Sequence, residues 1–376
     1  MEQFSFYNSI DSYPFKRDID NIDLHFKQRS LLLRNLGVVP KFLEGKRVLE
    51  IGGGYGENAL FLLAQKPSSM TLMEISNECL LSSKDLLDEF KFSHEINTKI
   101  DYLCVDFKEY KPKKLYDFVV FEGFVPFEPD PSYLLHQTWQ HVSNGGVVSI
   151  TCIDPVSLFP EVLRRLVSIL LAPVECQLED RVDILLPIFK SHLSTLSGMS
   201  RDPKDWVIDQ MIHPWSGKSF SILEAAKVIS DKFEILGSSP QFFNDWSWFR
   251  EVENARSISS IEEQYYSNLH NFIDYRFFHS VQPVKQNKLL LALCNRVLKR
   301  VRKMESGFCD LDVIEIRKDI VEVCEILSTY ATDTADDLQD FILAFDSIYA
   351  HKKPVDFRGF ASLFGRGQQY VSFIKV

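Results

Sequence analysis

A chain of 376 residues that is 45% hydrophobic and 25% charged can close a large core and more than one structural unit, which excludes a chain dominated by disorder. Its formal net charge of −10 lacks the basic footprint of a duplex-binding surface, so nucleic acid is not an expected partner. The longest apolar stretch, Leu163–Val174, is interrupted by Arg164 and Arg165, which leaves no bilayer span and no expected membrane partner.

The start of the chain shows no basic n-region and no apolar h-region, so no signal peptide is expected. Seven cysteines (79, 104, 152, 176, 294, 309, 324) form no C-x-x-C pair. Scattered thiols of this kind point to a reduced, cytoplasmic protein rather than a disulfide frame or a zinc site. Cys104 and Cys152 are expected inside buried strands.

In chain order, residues 16–36 read as a helix with Ile19, Ile22, Leu24, Phe26, Leu31, Leu32 and Leu36 on its apolar side. Strand Arg47–Ile51 follows, then helix Glu57–Gln65, strand Met70–Glu74, and a long helix over Ser76–Phe92 with Ser76 as N-cap. Strand Ile100–Val105 ends at Asp106. Strand Tyr116–Phe121 ends at Glu122-Gly123. Helix Pro131–Val142 and strand Gly146–Cys152 complete the alternation. Short apolar runs separated by helices at this spacing predict a mostly parallel α/β sheet with helices on both faces.

Beyond residue 153 the rhythm changes. Ser157–Ala172 reads as an amphipathic helix, and residues 173–230 as mainly helical. Phe233–Gly237 reads as a sixth strand. Residues 255–350 read as all-helical, with Lys288–Lys303 and Val313–Ala331 carrying apolar residues at three- and four-residue spacing. The run Lys299-Arg300-Val301-Arg302-Lys303 is expected to be a solvated helix face. Gln368–Val376 alternates like a seventh strand returning to the sheet. The expected organisation is therefore an N-terminal helical segment (1–40), a seven-stranded core (41–153 with 231–250 and 366–376), a helical lid or substrate insertion (154–230) and a second helical insertion (251–365).

The most informative stretch is Val48-Leu49-Glu50-Ile51-Gly52-Gly53-Gly54-Tyr55-Gly56-Glu57-Asn58-Ala59-Leu60. It reads as strand, tight glycine turn and helix, the form of a nucleotide-binding loop at the carboxyl end of a first parallel strand. Gly54-x-Gly56-x-x-Ala59, with Glu74 twenty residues after Gly54, satisfies a dinucleotide fingerprint. S-adenosylmethionine is the competing ligand.

Here the residues resemble the class I, Rossmann-like, S-adenosylmethionine-dependent methyltransferases. Glu50-Ile51-Gly52-Gly53-Gly54-Tyr55-Gly56 is similar to that family's first motif, and Tyr116–Gly123 to its fourth-strand motif. Asn144–Ile150 is similar to its turn into strand five. The resemblance spans roughly residues 45–153. It implies a cofactor site made by Glu50, Gly52, Gly54, Gly56 and Asn58 around the loop. Glu74 and Ile75 stand at strand two, Asp106 and Phe107 after strand three, and Glu122 after strand four. Glu74 is then the ribose-binding acid and Asp106 the partner of the adenine amino group.

Charge favours the same ligand. A dinucleotide brings a pyrophosphate, which Glu50 beside the loop repels. S-adenosylmethionine brings a sulfonium and an ammonium, and two opposite charges ~4 Å apart gain on the order of 4 kcal/mol at an effective dielectric of ~20.

The acceptor is less legible. Glu122-Gly123-Phe124-Val125-Pro126-Phe127 stands where an N-P-P-Y-like motif would mark nucleic-acid or protein nitrogen as acceptor. Asp154 and Glu122 find no third partner for a metal, so none is expected. Ser200-Arg201-x-x-x-Asp205-Trp206-x-x-Asp209 and Ser238-Ser239-Pro240-x-Phe242-x-x-Asp245-Trp246 resemble segments of a poorly characterised bacterial subset of the family. They suggest an acceptor pocket walled by Trp206, Trp215, Trp246 and Trp248. Within it His213 is the candidate general base, Arg201 the anchor for an acidic group, and Glu122 a further candidate catalytic residue. Each also reads as packing or pinning, Arg201 through Asp205 or Asp209.

The expected activity is methyl transfer to an O- or N-nucleophile of a small-molecule acceptor. The alternatives are a protein methyltransferase docking through 251–365, a non-catalytic S-adenosylmethionine-binding regulator and, as the outside case, a dehydrogenase. Oligomeric state stays open, a homodimer included.

Overall fold

The computed structural model describes residues 16–112, 114–214, 219–228, 232–243, 248, 250 and 257–376. Its elements run α1 (Ile22–Asn35), β1 (Arg47–Ile51), α2 (Glu57–Ala64), β2 (Ser69–Glu74), α3 (Asn77–Ser93), β3 (Lys99–Cys104), β4 (Tyr116–Phe121), α4 (Pro131–Trp139) and β5 (Val142–Ile153). There follow α5 (Phe159–Leu171), α6 (Leu178–Leu193), α7 (Pro203–Trp206), a π-helical turn (Val207–Ile212) and α8 (Ile222–Lys227). Then come β6 (Phe233–Ser239), α9 (Ile258–Asn268), α10 (Val284–Met304), α11 (Asp310–Ser328), α12 (Thr332–His351) and β7 (Gln368–Lys375). The chain divides into two compact units. One holds the described residues within 16–153, 219–265 and 368–376, the other the described residues 154–214 and 266–367.

The first unit contains the whole sheet, in the order β3-β2-β1-β4-β5-β7-β6. The pairs β1·β2, β1·β4, β2·β3 and β4·β5 are parallel, whereas β7 runs antiparallel to both neighbours, β5 and β6. This is the mostly parallel, seven-stranded α/β sheet expected, with β7 as the returning strand. β1 is central, so Glu50 faces Leu72 across one edge and Val120 across the other. Leu36, Val48, Leu60, Leu62, Met70, Leu72, Leu87 and Phe118 fill the core on one side of this strand.

Local chemistry sets the helix starts. Ser76 caps α3 by accepting from the Cys79 N–H (3.3 Å). Asp130 caps α4 on the Tyr133 N–H (3.0 Å), with Pro131 in the first turn. Gly56 enters α2 at φ +89°, and a Cβ there would stand 2.8 Å from Ser83 Cβ, so only glycine lets α2 approach α3 this closely.

Three expectations are corrected. α1 turns His25, Arg29 and Leu33 inward, while Leu24 and Leu31 are 46% and 53% exposed. Its buried face thus includes two polar side chains beside Leu33, while of the expected apolar side Leu36 is buried and Ile19, Phe26 and Leu32 pack partly against the core. Cys104 is exposed, because β3 is an edge strand with only β2 beside it. β5 begins at Val142 rather than Gly146, with a register shift against β4 between Tyr116 and Phe118 that accommodates the Gly145-Gly146 turn.

The second unit is helical. Val297 and Val301 of α10, Ile316, Ile320 and Val323 of α11, and Leu338 and Phe341 of α12 are buried. The basic run of α10 is met by acids of α11: Arg300 pairs with Asp319, Arg296 with Asp319 (2.7 Å) and Lys303 with Asp312 (2.8 Å). Arg165 of α5 is buried and donates to Glu305 and to the carbonyls of Gln210 (2.7 Å) and His213, which ties the π-helical turn to α5. Among the described residues no helix is long and apolar enough to cross a membrane.

Candidate functional site

The carboxyl ends of β1, β2, β3 and β4 lie side by side in the sheet and deliver the residues singled out from the sequence. β1 runs straight into the glycine turn. Gly52 and Gly54 hold φ +70° and +54°, conformations that favour glycine. A Cβ on Gly52 would meet nothing within 4 Å, so open space lies beside the turn. Four main-chain donors of this turn are engaged. Gly52 and Gly53 donate to the Met73 carbonyl (2.8 and 3.3 Å), and Gly56 donates to that of Gly53 (3.0 Å). Gly54 donates to Glu74 Oε2 (2.9 Å). A pyrophosphate needs donors that are free, and these four are not.

Glu74 also accepts from the Ser76 N–H (3.0 Å). Burial pushes its carboxyl above the ordinary range, against the pull of those main-chain donors. Ile75, 41% exposed, offers an apolar surface next to it. Asp106 caps a short 3-10 turn by accepting from the Lys108 N–H (2.9 Å). Phe107 turns its ring inward onto Phe121 (5.5 Å) and His141 (5.1 Å), and its carbonyl accepts from the Tyr110 N–H (3.1 Å).

Glu122 is held by a residue that the sequence reading passed over. Arg29 of α1 donates through both terminal nitrogens to Glu122 (2.8 and 2.5 Å), a bidentate, nearly buried pair with side chains 4% and 11% exposed. Burial acts against the Arg29 charge, but Glu122 holds the guanidinium above its ordinary range. Asn58 Nδ2 donates to the same carboxylate (3.2 Å). Gly123, next in the chain, donates to Thr151 Oγ1 of β5 (2.8 Å). His25, one turn before Arg29, donates from Nε2 to the Glu57 carbonyl at the start of α2 (2.8 Å). The phenol of Tyr370 on β7 stays protonated through burial and the nearby Glu122 charge. His25 and Arg29, four apart and followed by Leu33, were a detectable signal: polar residues at helical spacing leading into the glycine loop.

Glu50 completes the site. It is 3% exposed and its Oε2 has no hydrogen-bond partner among the described residues. Burial, and then the Glu122 charge, push its carboxyl up to about 8, with Arg29 opposing. An unsatisfied buried carboxyl beside an open glycine turn fits a ligand that brings positive charge.

Of the other candidates, His213, Arg201 and Trp206 lie in the helical unit. His213 follows the π-helical turn, is 4% exposed, and donates its main-chain N–H to the Ile208 carbonyl (2.8 Å). Arg201 ion-pairs with Asp209 (2.9 Å). Trp206 is buried and packs near Phe189 (6.1 Å between rings), whereas Trp248, in the sheet unit, is 57% exposed. Trp215 and Trp246 lie outside the described residues. Among the described residues no group of three or more His, Cys, Asp or Glu side chains can hold a metal ion.

Residues 24–177 match a family model described as a methyltransferase domain. No curated protein matches the chain. Among solved structures, an S-adenosylmethionine-dependent methyltransferase from Mesorhizobium loti is similar at 18% identity and a TM-score of 0.27, over 32% of this chain and 52% of that one. The chain thus spans about half of that relative's length. The N-methyltransferase NodS from Bradyrhizobium japonicum, in complex with S-adenosyl-L-homocysteine, is similar at 13% identity and a TM-score of 0.32, over 41% of this chain and 74% of that one. TehB from Haemophilus influenzae is similar at 21% identity and a TM-score of 0.26, over 30% and 38%. The matched segment contains the glycine turn and the acids ending β2 and β4, so residues 24–177 of the chain are similar to a methyltransferase domain.

Proposed function

We propose that the chain transfers the methyl group of S-adenosylmethionine to an O- or N-nucleophile of a small-molecule acceptor. The observation that carries the cofactor side is the pairing of an unsatisfied, buried Glu50 with a glycine turn four of whose main-chain donors are already engaged. Such a site favours a cation and disfavours a phosphate. Glu50 would take the ammonium group, Glu74 the ribose hydroxyls, and Asp106 the adenine amino group, with Ile75 and the main chain of Phe107 flanking the base. When bound, the cofactor supplies an electrophilic methyl on sulfonium. The protein's part is to align a nucleophile with it and keep water out. His213 is the proposed base and Arg201 the proposed anchor for an acidic group.

The acidic balance of the chain and Glu122-Gly123 at the end of β4 support a small acceptor over nucleic acid or a peptide amide. Glu122, bound by Arg29 and Asn58, is best placed to hold α1 and α2 against the site.

Calorimetry with S-adenosylmethionine, its demethylated product and NAD tests the cofactor; binding of NAD alone overturns the reading. Label transferred from methyl-labelled cofactor in a cell extract tests the acceptor. Label in the small-molecule fraction supports the proposal, and label confined to protein refutes it. If His213→Ala leaves that transfer intact, His213 is not the base.

A further inference from the structure

We propose that the cofactor enters this site by exchange for a proton, the ammonium group of the ligand replacing the hydrogen carried by Glu50. The proposal rests on the cofactor reading above and adds a proton balance to it.

The geometry singles out Glu50 among the acids around the turn. The charged groups facing it are Glu122 at the end of β4, Arg29 from α1, Glu57 at the start of α2 and Glu74 at the end of β2. Each of these other acids has its own donors. Glu122 holds Arg29 and Asn58, Glu74 holds the Gly54 and Ser76 N–H groups, and Glu57 holds the Arg17 N–H (3.1 Å). Arg29 is already committed to Glu122 in a bidentate pair, so the one guanidinium near Glu50 is shared with a second carboxylate. Glu50 Oε2 is left buried with no partner among the described residues. A carboxylate in that position is disfavoured by burial and by its acidic neighbours, so the ligand-free site keeps Glu50 neutral near pH 7.

An ammonium placed beside Glu50 reverses that balance, because it supplies both the missing donor and the missing positive charge. The step is a proton release. The O–H bond of the Glu50 carboxyl breaks, the proton passes to buffer, and the carboxylate accepts a charge-assisted hydrogen bond from the ligand's ammonium. Nothing is oxidised or reduced. S-adenosylmethionine and its demethylated product share the ammonium, so both should release the proton.

Titration of the whole chain with S-adenosylhomocysteine and with S-adenosylmethionine, at pH 7 in buffers of contrasting ionisation enthalpy, measures the exchange. With the carboxyl near 8 when free, about 0.9 proton should leave per ligand bound. Affinity should rise about tenfold between pH 6 and pH 7. In Glu50→Gln the proton count should fall close to zero, the pH dependence should flatten, and binding should weaken. Binding without buffer dependence in the unsubstituted protein overturns the exchange and leaves the cofactor reading standing. An unchanged proton count in Glu50→Gln places the proton elsewhere and overturns it as well. Release with S-adenosylmethionine but not with its product assigns the effect to the sulfonium and refutes the ammonium assignment. Failure of both ligands to bind while NAD binds overturns the cofactor reading itself.

Discussion

Replacing Glu50 by glutamine keeps the size of the side chain and removes its ionisable proton, so it isolates the cost of holding an acid in the centre of the sheet. The unfolded chain releases this proton near 4.5, whereas the ligand-free fold retains it to about 8. The folded state therefore binds more protons across that window, and the stability tied to this group is present at low pH and lost as pH rises from 4.5 to about 8. At about 1.4 kcal/mol per pH unit, that loss reaches roughly 3 kcal/mol at pH 7. Glu50→Gln should thus match the unsubstituted protein in stability near pH 4.5 and exceed it increasingly towards pH 7. The gain corresponds to a melting-temperature difference on the order of 5–10 °C for a unit of this size. Thermal unfolding of both proteins without ligand, at half-unit steps from pH 4.5 to pH 8, gives the difference curve directly. Buried acids that do not interact with Glu50 affect both proteins alike and cancel in it, while the coupling of Glu50 to Glu122, Glu57 and Glu74 stays in the difference. A curve that is flat, or that falls with pH, would refute the reasoning about Glu50.

Further outcomes follow from the same geometry. Arg29→Met strands Glu122 in a nearly buried position and should cost about 3–5 kcal/mol. Adding Glu122→Gln should recover a large part of that loss, and strictly additive losses in thermal melts would show that the two are not coupled. Gly56→Ala forces a side chain onto a φ of +89° and to 2.8 Å from Ser83 Cβ. It should destabilise by about 1–3 kcal/mol and weaken cofactor binding, and an unperturbed melt would reject the close approach of α2 to α3. Glu74→Ala should abolish measurable cofactor binding by calorimetry, and unchanged affinity would dismiss Glu74 as the ribose partner.

The central strands were readable in the sequence because their chemistry is local. Arg47–Ile51 and Tyr116–Phe121 are apolar runs with sharp ends, Gly52 after the first and Glu122-Gly123 after the second, and the structure places them at those residues. The returning strand Gln368–Lys375 was readable from its alternation. In α1 the apolar pattern located Leu36, Phe26 and Leu32 on the inward side but missed the polar part of the buried face. There Leu24 and Leu31 face out, because His25 and Arg29 have partners waiting at Glu57 and Glu122. Those partners lie 32 and 93 residues away, and no periodicity within a helix reports on them. Cys104 failed for a related reason: β3 has an apolar strand pattern, but its place at the sheet edge follows from strand order, which is a property of the whole chain. The acids of the site were legible as strand-end carboxylates. The difference between Glu50, without a partner at Oε2 among the described residues, and Glu122, firmly paired, was not, since it depends on where one guanidinium lands.

The position of β7 has a consequence for how the chain comes to be folded. β7 is inserted between β5 and β6, yet β6 ends at Ser239 and β7 begins at Gln368. As the ribosome delivers the chain, β1 to β5 can assemble early. β5 then waits with one edge unpaired while the long helical stretch is made. β6 has no sheet neighbour until β7 arrives. An open edge on a largely apolar sheet is prone to join other chains. The helices of 266–367 therefore have to fold quickly and locally, as helical segments do, so that the nascent sheet is not left exposed longer than synthesis requires.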